Sequence, residues 1–101
     1  MNDEMILFIL DAPPELEESL IDFLLDYDSE IEFTTFPIAA HRRSHSGYSL
    51  SEQVTGRKKQ QRFHVALPKD RLVDLIAALE NEFEGAGFEF RTLPILNRGE
   101  I

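Results

Sequence analysis

An α+β fold, with two helices on one face of a four-stranded antiparallel sheet, is what this 101-residue sequence predicts. Three observations carry the expectation. A short run, Met5 to Leu10, is apolar at every position; two longer stretches repeat apolar residues at helical spacing; three further segments alternate with a period of two.

The run MILFIL is too short for an ordinary helix and is followed by Asp11, Pro13 and Pro14, so it reads as a strand buried on both sides. Leu16, Leu20, Phe23, Leu24 and Tyr27 then share one helical stripe, with Glu15, Glu17, Glu18 and Asp22 opposite. Pro14 suits a first turn, where no amide donor is needed, and the glutamates there complement the positive end of the helix dipole. From Glu30 the period changes, with Ile31, Phe33 and Thr35 alternating with Glu32, Thr34 and Phe36. Pro37 places the end of this second strand at a sheet edge or a bulge. Arg62 to Leu67 forms the third strand, closed by Pro68. Leu72, Leu75, Ile76, Leu79 and Phe83 make the second helix, with Asp70 as its expected N-cap and Gly85 as its stop. The last strand begins at Gly87 and places Phe88, Phe90 and Thr92 on one side. The order is βαββαβ. Right-handed crossovers fold that order into the ferredoxin-like sandwich, and the two βα halves share one plan.

The length suits a single domain over residues 1–101, and 43% hydrophobic content with 8 Phe is enough for a packed interior. The absence of Cys excludes disulfides, thiolate metal sites and a cysteine nucleophile. No apolar run approaches the ~20 residues that cross a bilayer, and Met1 to Glu4 lacks the basic start of a signal peptide. A cytoplasmic protein without membrane insertion is expected. A formal charge of −9 opposes general binding to nucleic acid.

Two features do not fit a plain monomer. The first strand is central in this topology and apolar on both sides, yet two helices cover only one face of the sheet. Either Met5, Leu7 and Ile9 or Ile6, Phe8 and Leu10 must therefore face outward, joined by Ala66 and by Phe36 or its neighbours. An apolar surface of that extent marks an interface, so a homo-oligomer is expected. The second feature is the stretch 41–61 (HRRSHSGYSLSEQVTGRKKQQ), far longer than the roughly two to five residues of an ordinary hairpin connection. Residues 41–62 carry Arg42, Arg43, Arg57, Lys58, Lys59 and Arg62 against Glu52, a charge of +5, which leaves −14 on the rest of the chain. Such a basic arm fits a phosphate-bearing or other anionic ligand, an acidic partner protein, or the acidic surface of a neighbouring copy.

His41, His45 and His64 are the candidate ligands for a divalent transition metal such as zinc, copper or nickel. Against this, Ser44, Ser46 and Gly47 disfavour the helix that would align His41 with His45, and Arg42 and Arg43 repel a cation. No residue set supports an enzyme: Tyr48 and the loop serines have histidines near them in sequence but no orienting carboxylate. RNA recognition on this sheet would require aromatic residues in the two central strands and a glycine-rich third strand, and Arg62 to Leu67 (RFHVAL) lacks that pattern.

Leu50 to Arg57 (LSEQVTGR) before a basic run, followed by VALPKDRLVDLIAAL and a glycine-containing turn into FEFRTLPI, resembles the PII-like signalling proteins. The resemblance spans nearly the whole chain and is strongest to the bacterial family of PII-like proteins of unknown function, DUF3240. It implies a homotrimer whose sheets pack around a threefold axis, with the long loop between the second and third strands contacting ligands and target proteins. In PII a longer glycine- and lysine-containing loop before the last strand helps to bind nucleotide phosphates. Here Glu84, Gly85, Ala86 and Gly87 fill a shorter turn without lysine, and Asn97 to Ile101 is too short for the basic PII tail, which speaks against a nucleotide.

The expected function is therefore that of a trimeric regulatory or sensor protein that takes a small ligand at clefts between subunits and a protein partner through the 41–61 loop. Arg42, Arg43, Arg57, Lys58, Lys59 and Arg62 are the anion or partner contacts. The alternatives are a transition-metal-binding protein and a structural homo-oligomer without a ligand.

Overall fold

The computed structural model describes residues 4–41 and 57–101. Strand β1 (Met5–Ala12) leads through a 3-10 turn, Pro14–Leu16, into helix α1 (Glu17–Tyr27). Strands β2 (Glu32–His41) and β3 (Arg57–Pro68) follow, then a second 3-10 turn, Lys69–Arg71, helix α2 (Leu72–Glu82) and strand β4 (Glu89–Ile95). The strands form one antiparallel sheet in the order β2-β3-β1-β4, which is the ferredoxin-like α+β topology.

The two halves repeat one device. Each helix is entered through a proline in extended geometry, Pro13 at φ −57° and ψ 140° and Pro68 at φ −61° and ψ 141°, then a three-residue 3-10 turn and eleven residues of α-helix. Pro14 occupies the first turn, as the sequence predicts. Asp70 does not cap α2: it lies inside the 3-10 turn, and neither that turn nor α2 has a side-chain cap. The tight turn already carries the chain into helical geometry, and the backbone amide of Leu72 bonds to the carbonyl of Lys69. α2 ends before Gly85, with the Phe83 amide bonded to Leu79 O at 2.8 Å. Gly85 and Gly87 then reverse the chain at φ +76° and +78°, backbone that L side chains rarely adopt.

Alternation along β1 sorts its side chains cleanly. Ile6, Phe8, Leu10 and Ala12 join Phe63, Val65 and Leu67 of β3, Leu20 and Leu24 of α1, and Leu75 and Leu79 of α2 in one buried cluster. At roughly 1.5–3 kcal/mol per fully buried large apolar side chain, this cluster is the main favourable term in folding. Met5, Leu7, Ile9 and Asp11 point the other way.

β2 is a border strand, as Pro37 requires, and the opposite border, β4, also carries a proline, Pro94. The β2–β3 ladder is longer than the sequence pattern suggests. It runs unbroken from Glu32↔Ala66 to His41↔Arg57, so residues 57–61, expected within the long loop, are strand. Their side chains are mostly polar, and cross-strand bonding of the backbone supplies the regularity that hydrophobic alternation does not. Among the described residues, no helix is long and apolar enough to cross a membrane.

Candidate functional site

Pairing register places β1 Met5, Leu7, Ile9 and Asp11 on the sheet face away from the helices. Ala66, His64, Arg62, Gln60 and Lys58 of β3 share that face, with Phe36 and Ile38 of β2 and Glu89, Arg91, Leu93 and Ile95 of β4. Of the two sets that could have faced outward, Met5, Leu7 and Ile9 do so, and they bring Phe36 and Ala66 into the same surface. Ile9 is buried by its neighbours, Leu7, Ala66 and Ile95 are half-buried, and Leu93 is 47% exposed. No described helix residue packs on this side.

The apolar centre of the face is bordered by a fixed ion pair. Asp11 and Arg62 are cross-strand partners, and the guanidinium donates from Nε to Oδ1 at 2.7 Å and from Nη2 to Oδ2 at 2.9 Å. Asp11 is 5% exposed. The forked geometry matches two donors to two acceptors, which is how a carboxylate tolerates burial. The hydrogen bond to Asp11, aided by its charge, holds the Arg62 guanidinium above its ordinary pKa despite an opposing effect of burial. Two of the donors expected to face an anion are thus engaged within the chain. Two positions further toward the end of the ladder, Gln60 is 2% exposed and its Oε1 has no hydrogen-bond partner among the described residues, whereas Gln61, on the helix side, donates to Thr35 Oγ1 at 2.8 Å.

The other sequence-predicted residues divide between the faces. Lys58 pairs with Ala40 on the open side, and Arg57 and Lys59 pair with His41 and Ala39 on the helix side. His64 lies on the open face, edge-on to Phe36 with ring centroids 5.0 Å apart. His41 is seven ladder positions away and on the opposite side, about 23 Å along the strand. One chain therefore does not bring these two histidines together, and among the described residues no group of three or more His, Asp or Glu is placed to hold a metal ion. Arg42, Arg43 and His45 lie outside the described residues.

At the β4 border, on the helix side, a groove of about 380 Å³ opens between α2, β4 and the turn joining them. Phe8, Phe83, Phe88 and Phe90 form its floor and walls, with Phe8 and Phe90 centroids 5.4 Å apart and Phe83 and Phe88 5.1 Å apart. Glu80 and Glu84 stand at its rim. Sequence reading placed these phenylalanines in the core or on the last strand but did not find the groove, since it is created by the gap between α2 and β4. It also took Asp11 as the end of the first strand. The cue to its role was its period-two continuation from Met5, Leu7 and Ile9, opposite a basic residue on β3.

The sequence profile of the family described as "Protein of unknown function (DUF3240)" matches residues 2–101. The chain belongs to this family. A DUF3240 protein from Shewanella baltica has a solved structure similar to this one, with 19% identity, a TM-score of 0.76, and coverage of 100% of this chain and 99% of that one. The ATP complex of GlnK from Bacillus subtilis is similar at 11% identity and a TM-score of 0.61, covering 96% and 89% of the two chains. CPII from Thiomonas intermedia, solved with ADP, AMP and acetate, is similar at 15% identity and a TM-score of 0.64, covering 94% and 90%. At these identities the likeness is one of fold, and this DUF3240 chain has the PII-like fold. A search of curated proteins returns no match.

Proposed function

We propose that this DUF3240 protein is a PII-like regulator that assembles as a homotrimer through the open sheet face, takes a small anionic ligand at clefts between subunits, and engages a protein partner through the 41–61 loop. The observation that carries the reading is the surface formed by Leu7, Ile9, Ala66, Leu93 and Ile95, apolar and uncovered by either helix. Closing such a surface in a second copy stabilises it by roughly 25 cal/mol per Å² of apolar area. Arg57, Lys58 and Lys59, with Arg42 and Arg43, supply the positive charge for an anion, and Arg62 fixes the base of the arm through Asp11. The ligands of the GlnK and CPII structures make ATP, ADP, AMP and acetate the first compounds to test. The turn at 84–87 carries Glu84 and no lysine, so it supplies no positive charge to nucleotide phosphates.

Native mass spectrometry of the protein taken directly from cells tests assembly and retained ligand together. A threefold mass is expected, with titration by the four compounds showing saturable binding of at least one. A single-chain mass at micromolar concentration would remove the assembly, and silence toward all four compounds and toward zinc, copper and nickel would remove the sensor.

A further inference from the structure

Leu10 and Phe90 are cross-strand partners on the helix side of the sheet, yet Leu10 is 1% exposed and Phe90 51%. The helical layer covers β1 and stops short of β4, and the gap it leaves is the groove of about 380 Å³. That volume falls within the roughly 300–1,000 Å³ of small-molecule sites, in which mostly apolar walls carry a few placed polar groups. Phe90 is the most exposed of the 8 Phe, and its ring lies 5.4 Å from that of the enclosed Phe8. Phe83 is held edge-on by Phe23 at 5.6 Å, and its carbonyl accepts from the Ala86 amide at 3.0 Å, which ties the turn to the end of α2. A Cβ at Gly85 or Gly87 would meet nothing within 4 Å, so the groove is open beside this turn.

Charge then selects the occupant. The lining includes Glu80 and Glu84 but no lysine, arginine or histidine. Among the described residues neither glutamate forms an ion pair or a side-chain hydrogen bond. The faces of aromatic rings attract cations as carboxylates do, so rings and rim favour the same sign and both repel an anion. A bare metal ion would use only the rim, and no group of three or more His, Asp or Glu among the described residues is placed to hold one. A cation mounted on an apolar body uses both the walls and the rim.

We propose that this groove binds a small organic cation, an aromatic or aliphatic body bearing an ammonium group. The body lies against Phe8, Phe83, Phe88 and Phe90, and the ammonium meets Glu80 and Glu84. The site is separate from the anion clefts and the 41–61 loop of the function proposed above, and it does not depend on assembly. Because the rim is open to water, binding weakens with ionic strength.

Tryptamine tests the inference on the full chain, which contains no Trp, so indole emission and its anisotropy report the added compound alone. Tryptophol and indole-3-acetate keep the ring and replace the ammonium with a hydroxyl and a carboxylate. Saturable binding of tryptamine at neutral pH is expected, about tenfold tighter than tryptophol, with indole-3-acetate weaker still. Glu80→Gln and Glu84→Gln are each expected to weaken it by about two- to fivefold. Glu82→Gln removes the same charge from an exposed position on α2 outside the groove and is expected to leave it unchanged. Phe90→Ala is expected to weaken it by about three- to tenfold, with thermal unfolding to confirm that each variant folds. Absence of saturable tryptamine binding, equal affinity for the three compounds, or a loss in Glu82→Gln as large as in Glu80→Gln and Glu84→Gln would overturn the site. If Phe90→Ala lowers the mass of the assembly in native mass spectrometry and leaves tryptamine affinity unchanged, the groove is a subunit contact, and this inference fails while the sheet-face reading stands. A monomeric wild type that still selects tryptamine supports the site and removes the sheet-face reading.

Discussion

The two faces of β1 carry nearly the same number of large apolar side chains and end in different states. On the helix side Phe8, Leu10 and Ala12 are fully enclosed, and the strand's side chains interlock with leucines from both helices. On the other side Met5 and Leu7 are only half-buried, and the series closes with a carboxylate held by an arginine. The difference teaches that hydrophobicity along a strand states how much must be covered but not by what. A face finished within the chain is apolar to its end. The other face places a specific ion pair beside greasy centre residues, which is a composition suited to recognition of one matching surface rather than to a private core.

That contrast is open to direct attack. The largest effect is expected from Phe63→Ala, which empties the covered side at a residue with no exposure. It should cost about 3–5 kcal/mol in urea unfolding, by the same amount at every protein concentration. Next comes Asp11→Ala, which leaves the Arg62 guanidinium without its partner and should cost about 2–3 kcal/mol. Adding Arg62→Met to that variant should return part of the loss, and a further loss instead would show that Arg62 has a second partner worth more than Asp11. The smallest effect is expected from Leu7→Ala, less than about 1 kcal/mol in dilute solution, because its side chain is only half-buried in the single chain. The loss should grow as concentration rises and association becomes dominant. A concentration-independent loss as large as that of Phe63→Ala would erase the distinction between the faces.

The fold was largely legible in the chain because its signals are local. The all-apolar β1, the leucine stripes of α1 and α2, and the prolines at strand ends each act through near neighbours. What escaped depended on pairing across distance. Residues Arg57 to Gln61 carry no hydrophobic alternation, so their strand character comes from the backbone of β2 opposite them. Asp70 has the residue type of a cap, but the 3-10 turn leaves it no such position. The union of Asp11 with Arg62 joins residues 51 positions apart and depends on register, which a one-residue slip would destroy. The candidate anion contacts were legible as charge alone. Which side of the ladder each occupies follows from pairing, and it separates Lys58 from Arg57 and Lys59. For Arg42, Arg43 and His45, the expectation lies outside the described residues.

A proline stands on each border strand, Pro37 on β2 and Pro94 on β4. An open sheet with bare margins invites strand after strand to add, the route by which β-rich proteins grow into fibrils. An imide nitrogen donates nothing to an incoming strand, so an approaching segment finds an interrupted template at either margin. Each margin of this sheet is thus a poorer template for strand addition than an uninterrupted run of amides would be.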